Sequence, residues 1–582
     1  MSGVTPDDSR KGILAMGKKF LLLLSCVVAG GLSGFALSRP QTTMFPHAAT
    51  VKRPALSVTL HPSQTGGNDG SAGRHIYVAP AEAAPVEEAT LFSFDNVAIP
   101  ATYNLYLTMN PPKKYAGNPV VPLGDIGQPD EWQQRYYGTV IRDNGKFRMW
   151  YIAASKEGFI TPLLGGDFDF RGWRFAYAES DDGKHWRKPD LGLVEFRGSR
   201  HNNLVLMPEG FGGYHALVLH EPEDPDPSRR YKMMALIVDP SGSYKFNDGV
   251  RRAFVPLYSA DGLRWRLADE LSISSGKVIS TDELVSFEGA GLYKFQGMYY
   301  LTGQGGKGPA LKPYERHIEI FRSPDLIHWS KTQTMGFARQ GQYRRPTHTS
   351  PMNNEQTHEG VSVWNRGNVL LGLTGFWHGA SDWNDVTHDL GFLISNDALH
   401  FREPVPDYVF AAIGKDGEWD EAGLAQGEGF ENVDDKTYIW YSQMDQREGQ
   451  RTGRPWKRWG GIGLLILDRD RFGSLGVRNP SDTGILVTSE LKSDVPPRIW
   501  INAQGVAPQS SLRVELLDRW ERPIPRYSGE GAAVVRQSGL RVPVSWRGQE
   551  QLADLKGPFK IKISFDGPEK GAIDLYAIYL GK

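Results

Sequence analysis

Ser180-Asp181-Asp182-Gly183-Lys184-His185-Trp186 is the first of four related phrases that punctuate the chain. The phrase returns as Ser259-Ala260-Asp261-Gly262-Leu263-Arg264-Trp265, as Ser323-Pro324-Asp325-Leu326-Ile327-His328-Trp329 and as Ser395-Asn396-Asp397-Ala398-Leu399-His400-Phe401. A degenerate fifth copy is Asp468-Arg469-Asp470-Arg471-Phe472. An alternating apolar segment precedes each copy, at residues 174–179, 253–258, 317–322, 390–394 and 462–467. Asp favours tight turns because its carboxylate accepts nearby backbone N–H groups, and Gly because it tolerates a positive φ. Each phrase therefore reads as a strand, a tight turn and an aromatic that starts the next strand.

Two more strand candidates stand upstream of every copy. They are residues 137–142 with 147–152, 214–220 with 231–237, 288–293 with 298–302, 359–364 with 369–373, and 428–433 with 437–441. Most pairs are joined by a short polar turn such as Asp143-Asn144-Gly145. Every unit thus runs strand, turn, strand, long loop, strand, Asp turn, strand. Successive turn Asp residues lie about 64 to 79 residues apart, more than the roughly 40 to 50 of a minimal propeller blade, so each unit must carry a long insertion. Five four-stranded units with no amphipathic helix between them predict an all-β fold, a five-bladed β-propeller over residues 89–482. From Thr483 the pattern changes to short, regularly spaced strands such as residues 511–517 and 559–563, which predicts a C-terminal β-sandwich over 483–582.

The ends and the composition narrow the function. Lys18-Lys19 precede an apolar run over 20–37 that exits through Ala36-Leu37-Ser38, the pattern of an export signal; the run is also long enough for a membrane anchor, and Leu24-Ser25-Cys26 has some likeness to a lipoprotein site. Residues 1–38 are therefore assigned to export or anchoring, which places the body outside the cytoplasm. Residues 39–88, rich in Pro, Ala, Thr, Ser and Gly, read as a flexible linker. Lys plus Arg total 66 against 67 for Asp plus Glu, which argues against a nucleic-acid partner, since phosphate binding needs a basic excess. Cys26 is the only cysteine, so the body has no disulfide framework, Cys-based zinc site or thiol nucleophile. No cofactor and no metal site are expected, and the sequence leaves the oligomeric state open.

In a propeller the first strand of each blade lines a central channel, and the loops between second and third strands crowd one mouth of it. Here those loops are the long ones, and they carry Trp173, Tyr244, Tyr314, Trp377, His378, Trp383, Trp456 and Trp459. Aromatic faces among polar groups suit sugar rings. Aligning the first strands by their small residue gives Tyr137-Gly138, His215-Ala216, Glu288-Gly289, Glu359-Gly360 and Glu428-Gly429. Three blades thus carry a carboxyl at one register. Charges are seldom buried unless paired, so the channel is their expected destination. Carboxyls gathered in one funnel raise one another's pKa, which lets one stay protonated while another is ionised. That pair of states is what glycoside hydrolysis uses. The expected catalytic residues are Glu288 and Glu359, with Asp130 and Glu428 as competitors. Arg135, Tyr137, His215, Asp282, His358, Trp377 and His378 are expected to bind the substrate.

Tyr137-Gly138-Thr139-Val140, Phe147-Arg148-Met149-Trp150-Tyr151, Ala176-Tyr177-Ala178-Glu179-Ser180-Asp181-Asp182-Gly183 and His201-Asn202-Asn203-Leu204-Val205 carry a family resemblance. These phrases resemble the bacterial proteins labelled glycosyl hydrolase family 32-like, over roughly residues 90 to 582. The resemblance implies a propeller plus sandwich in the group of invertases, levanases and arabinanases. The acidic motifs of invertases have no counterpart, since no Arg-Asp-Pro occurs and the one Cys lies in the leader. The expectation is an exported glycoside hydrolase acting on an oligo- or polysaccharide that contains furanose or a related sugar. The alternatives are a non-catalytic carbohydrate-binding propeller and a glycoside phosphorylase.

Overall fold

The computed structural model describes residues 76–78, 85–158, 172–208, 211–238, 245–246, 253–269, 273–274, 278–279, 288–305, 316–330, 334–339, 356–378, 386–445 and 458–582. The expected leader over 1–38, most of the expected linker, and Tyr244, Asp282, Tyr314, Trp383 and Trp456 lie outside them. Among the described residues no helix is long and apolar enough to cross a membrane.

Five antiparallel blades form the body, and each runs outward from an inner strand. Blade 1 comprises Gln133–Asp143, Lys146–Ala154, Trp173–Ser180 and Trp186–Arg187; blade 2 comprises Gly212–His220, Tyr231–Val238, Ala253–Ser259 and Arg266–Leu267. Blade 3 holds Glu288–Phe295, Met298–Gly305, His317–Ser323 and Thr334–Phe337. Gln356–Asn365, Leu370–His378, Thr387–Ser395 and Val409–Ala411 make blade 4. Blade 5 takes only three strands from its own stretch of chain, Leu424–Val433, Lys436–Gln443 and Ile462–Asp468. Its outer strand is Lys113–Lys114, from before blade 1. The ring closes a second time at its centre, where Glu428 of the last inner strand pairs in parallel with Thr139 of the first.

The recurring phrase forms one hydrogen-bonded turn. Ser180 Oγ donates to Asp182 Oδ1 (3.0 Å) and accepts the Gly183 N–H (2.9 Å), while Asp182 Oδ1 accepts the N–H groups of Lys184 (2.9 Å) and His185 (2.8 Å). The same bonds recur around Asp261, Asp325 and Asp397. The residue after the Asp has a positive φ in all four: Gly183 (76°), Gly262 (73°), Leu326 (71°) and Ala398 (66°). In three of the four turns its carbonyl accepts from an aromatic side chain of a neighbouring blade. Trp150 of blade 1 donates from Nε1 to Gly262 O (2.7 Å), Trp440 of blade 5 donates to Gly183 O (3.1 Å), and Tyr293 of blade 3 donates to Ala398 O (2.7 Å). A Cβ on Gly262 would come within 2.7 Å of the Trp150 ring, so the site needs glycine for space as well as for φ.

The fifth copy departs from the expected alignment. Asp470 has φ 62°, and Thr437 Oγ1 accepts its N–H at 3.0 Å. It therefore occupies the position of Gly183, one step after the turn carboxylate. Its buried side chain is turned to another task. Arg366 donates to both of its oxygens, Asn432 donates at 3.0 Å, and the hydroxyl of Tyr579 donates at 2.9 Å. Burial opposes ionisation of Asp470, yet Arg366 and these donors hold its pKa below the ordinary value.

Tyr579 belongs to the β-sandwich, so Asp470 ties the two structures together. One sandwich sheet holds Ile76–Val78, Ala101–Tyr103, Gly484–Val487, Leu491–Ser493, Ser511–Asp518, Ala533–Val535 and Phe559–Asp566. The other holds Ala89–Phe92, Leu105–Met109, Gly473–Val477, Arg498–Gln504, Gly539–Pro543 and Asp574–Gly581. The boundaries expected at 88 and 482 are therefore corrected by strand pairing, because segments before the propeller and Gly473–Val477 belong to the sandwich. The reason is apolar: Ile76, Leu91, Leu105 and Leu475 are buried in the core built by Leu512, Val514, Ile561 and Ile563. Phe92 and Phe94 also pack with Phe392, Phe410 and Phe472, so blade 4 and the sandwich share one aromatic core.

Removing one partner of a buried ion pair strands the other, at a cost of about 3 to 5 kcal/mol. Asp470→Ala is expected to lower the unfolding free energy by that amount in urea titrations. A change below about 0.5 kcal/mol, the scale of ordinary surface substitutions, would show that this pair does not fasten the sandwich.

Candidate active site

Each inner strand loses register with its second strand at one level of the channel. The breaks fall between Arg135 and Thr139, Tyr214 and Ala216, Gly289 and Gly291, His358 and Ser362, and Gln426 and Phe430. A β-bulge kinks its strand and re-aims its side chains. The small residues sit in these kinks, but the three carboxyls expected at one register do not share one: Glu288 is paired with Gln304, Glu359 is the first unpaired residue after His358, and Glu428 is the second after Gln426. A Cβ on Gly138 would come within 1.9 Å of Trp150 O, and one on Gly360 within 2.7 Å of Gly303 Cα.

Two bulge residues are not glycine yet have positive φ, His215 (67°) and Glu359 (65°). Such a backbone costs about 1 to 2 kcal/mol per residue and persists where surrounding structure holds it. Both are buried, and they meet across the channel from blades 2 and 4, with His215 Nε2 lying 4.0 Å from Glu359 Oε2. His358 Nε2 lies 3.4 Å from the other oxygen, Glu359 Oε1. On its far side His358 Nδ1 is 2.6 Å from Arg316 Nη1. A guanidinium can only donate, so Nδ1 accepts and the imidazole proton sits on Nε2, facing Glu359. The Glu359 carboxylate thus lies between two imidazoles, and its N–H donates to Gln304 Oε1 at 3.1 Å.

The structure places the other expected residues in four settings. Arg135 and Tyr137 stand in the same channel, close enough for the Glu359 charge to be felt at both. Burial first, and then that charge, push the Tyr137 phenol well above its ordinary value. Glu288 pairs through its backbone with Gln304, the residue that accepts the Glu359 N–H; its side chain lies outside the described residues. Trp377 forms part of the wall. It is fully buried, its ring 5.2 Å from His358 and 4.5 Å from His388, with Arg316 stacked over it at 4.3 Å. His378 pairs with Asp389 at 2.8 Å.

Asp130 and Glu428 are committed to bracing contacts. Asp130 accepts bonds from Gln134 (2.6 Å), Tyr151 (2.9 Å) and Lys188 (2.6 Å). Blade 5 repeats this knot, with Asp420 accepting from Tyr441 (2.8 Å) and paired to Lys114 (2.7 Å). The two knots share a sequence, Gly124-x-x-Gly127-x-x-Asp130-Glu131 and Gly414-x-x-Gly417-x-x-Asp420-Glu421. In both copies the second Gly donates its N–H to the Glu, at 2.6 and 2.5 Å. A device present twice, on the approach to two inner strands, is a loop clamp. Glu428 Oε1 reaches across the channel to accept the Leu292 N–H at 2.5 Å, and burial raises its pKa well above the ordinary carboxyl value against the pull of the Leu292 and Val363 amides.

Sequence reasoning missed Gln304, Tyr214, Arg316 and His388. His388 is fully buried between His358 and Trp377, and burial, followed by the charge of Arg316, holds it neutral. The repeated Gly-x-x-Gly-x-x-Asp-Glu was visible in the sequence and would have marked Asp130 as a clamp. No residue pattern announces Gln304 or Arg316. Among the described residues no group of three or more His, Cys, Asp or Glu could hold a metal ion.

No protein-family profile matches the chain, and no curated protein does. Solved structures do resemble it. One comes from the GH130 family of mannoside phosphorylases, described as containing glycoside hydrolases that target β-1,2 mannosidic linkages in Candida mannan; it is 15% identical over 62% of this chain and 94% of that one, with TM-score 0.38. Another is an N-acetylgalactosamine deacetylase from F. plautii in complex with blood group B trisaccharide, 14% identical over 62% of this chain and 96% of that one, TM-score 0.38. A glycosyl hydrolase from Bacteroides ovatus is 15% identical over 62% of this chain and 95% of that one, TM-score 0.36. Likeness at this level leaves the chemistry to be argued from the site itself.

Two carboxyls separate bracing from catalysis by their pH behaviour. Arg197, with the Gly127 and Lys156 amides, overcomes burial and lowers the Glu131 pKa to about 2. Its contribution to stability is therefore complete above its ordinary pKa and lost as pH falls toward 2. Glu131→Gln is expected to cost about 1 to 3 kcal/mol at pH 6, with the gap to wild type closing in acid melts. Glu428 has the opposite sign, because its folded pKa is raised. Its favourable contribution is lost as pH rises above the ordinary carboxyl value, so Glu428→Gln should match wild type in melting temperature at pH 5 and exceed it at pH 9. Equal melting at both values would remove the bracing role.

Proposed function

We propose that the protein is an exported glycan-acting enzyme, a glycoside hydrolase that works at the channel end where the five bulges meet. One observation carries this reading: Glu359, buried in a strained backbone, is held between His215 at 4.0 Å and His358 at 3.4 Å. Strain of this kind gathers at functional sites because the surrounding fold can hold a geometry that the local chain resists. Glu288, whose backbone pairs with Gln304, is the residue assigned in this reading to the role of second carboxyl.

Hydrolysis needs one carboxyl to protonate the leaving glycosidic oxygen and a second to take a proton from water or to attack the anomeric carbon. His358, its tautomer set by Arg316, holds its Nε2–H edge 3.4 Å from Glu359 Oε1, where the N–H dipole favours the ionised carboxyl. The basic flank and apolar run over residues 1–38 support export. The furanose-containing substrate is the part of the reading that rests on the family 32-like resemblance.

The test is a product screen of the purified protein against fructans, arabinans and other polysaccharides, followed by isosteric variants. Glu359→Gln and Glu288→Gln should each lower kcat/KM by about 10²- to 10⁴-fold, the typical worth of a general acid or base, with unchanged melting curves. Full turnover by Glu359→Gln would overturn the assignment.

A further inference from the structure

Arg135 is buried to nine-tenths at the upper end of the first inner strand, yet it has no carboxylate within ion-pair distance among the described residues. Four rings surround its guanidinium: Tyr137 at 6.0 Å, Trp173 at 5.2 Å, Tyr214 at 5.3 Å and Trp459 at 5.0 Å. Aromatic faces stabilise the flat faces of a guanidinium but leave its N–H edge unanswered. Of its donors, one bonds to the Tyr214 hydroxyl, and Nε has no partner. Two residues earlier on the same strand, hence on the same face, Gln133 is 1% exposed and neither its amide oxygen nor its nitrogen has a partner. Buried polar groups are almost always satisfied, so two neighbouring exceptions at the channel mouth call for something that fills them.

The ligand chemistry follows from the donors. A guanidinium edge matches the geometry of a carboxylate or phosphate in a way that no sugar hydroxyl does. The charges nearby agree, since Arg135 lies within reach of the Glu359 charge, while Arg316 stands behind His358 and the Glu428 carboxyl is occupied by the Leu292 amide. We propose that Arg135 and Gln133 form an oxyanion subsite, so that the channel takes an acidic ligand, either a uronic acid of the glycan or free inorganic phosphate. Arg135 grips two oxygens along its open edge, and the Gln133 amide donates to the group from the same face. This inference rests on the channel end being a glycan site.

Trp173 and Trp459 border the guanidinium, so their fluorescence reports on its occupancy, and calorimetry gives the affinity. The probes are glucuronate, galacturonate, mannuronate and inorganic phosphate, each uronate paired with its neutral parent sugar. At least one anion should bind at least tenfold tighter than the neutral sugars, weaken with added salt, and lose that preference in Arg135→Met. Arg135→Lys, which keeps the charge without the fork, should retain part of it, and Gln133→Leu should lower it several-fold in a folded protein. Preference for a uronate identifies an acidic glycan, and preference for phosphate identifies a free anion. No anionic preference in wild type, or an unchanged preference in both Arg135 variants, overturns the subsite. Cleavage of a neutral glycan without anion preference would discard the subsite and keep the hydrolase, whereas Arg135-dependent anion binding with no glycan cleaved would do the reverse.

Discussion

The fold depends on one hydrogen-bonded turn and on what it presents to its neighbour. A Ser hydroxyl and an Asp carboxylate satisfy four local groups, which forces the next residue to a positive φ and leaves its carbonyl pointing outward. An aromatic donor on the preceding blade then takes that carbonyl, as Trp150 does at Gly262 and Trp440 at Gly183. The turn is therefore both the end of one hairpin and the seam between two sheets. Repeated around the axis, it fixes the angle between blades closely enough for Lys113–Lys114 to complete the last of them.

Once the ring is closed, the inner strands crowd the axis, and bulges relieve the crowding. Those bulges bring His215 and Glu359, 144 residues apart in the chain, within 4.0 Å of each other. Carboxyls in the same molecule show how differently burial can be used. Asp130, Glu428 and Asp470 are each met by donors in place and serve as clamps. Glu359 lies beside the imidazoles of His215 and His358, and its charge reaches Tyr137 and Arg135. The chemistry of a buried acid is thus set by the kind of donor around it, more than by burial itself.

The turn phrases and the apolar alternation made the five-bladed architecture legible in the chain, because it arises from local periodicity. The same periodicity could not rank the acids. Glu428 and Glu359 look alike in the chain, each followed by Gly, yet Glu359 is the first residue after the last paired one, His358, and Glu428 the second after Gln426, so Glu428 spans the channel to the Leu292 amide while Glu359 stays among the histidines. The degenerate fifth phrase misled for a related reason. Asp470 has the residue type of the turn acid but the backbone position of Gly183, and only its contacts with Arg366 and Tyr579 reveal why.

By itself the sequence determined the blade count and the strand order within each blade, since these follow from hydrogen bonding and apolar spacing within about ten residues. Only the tertiary structure decided that strands from before the propeller enter the sandwich and close blade 5, that Arg316 sets the tautomer of His358, and that Arg135 has no acidic partner among the described residues. Each of these is a meeting of residues far apart in the chain, and its energy comes from a geometry that exists only after the ring has closed.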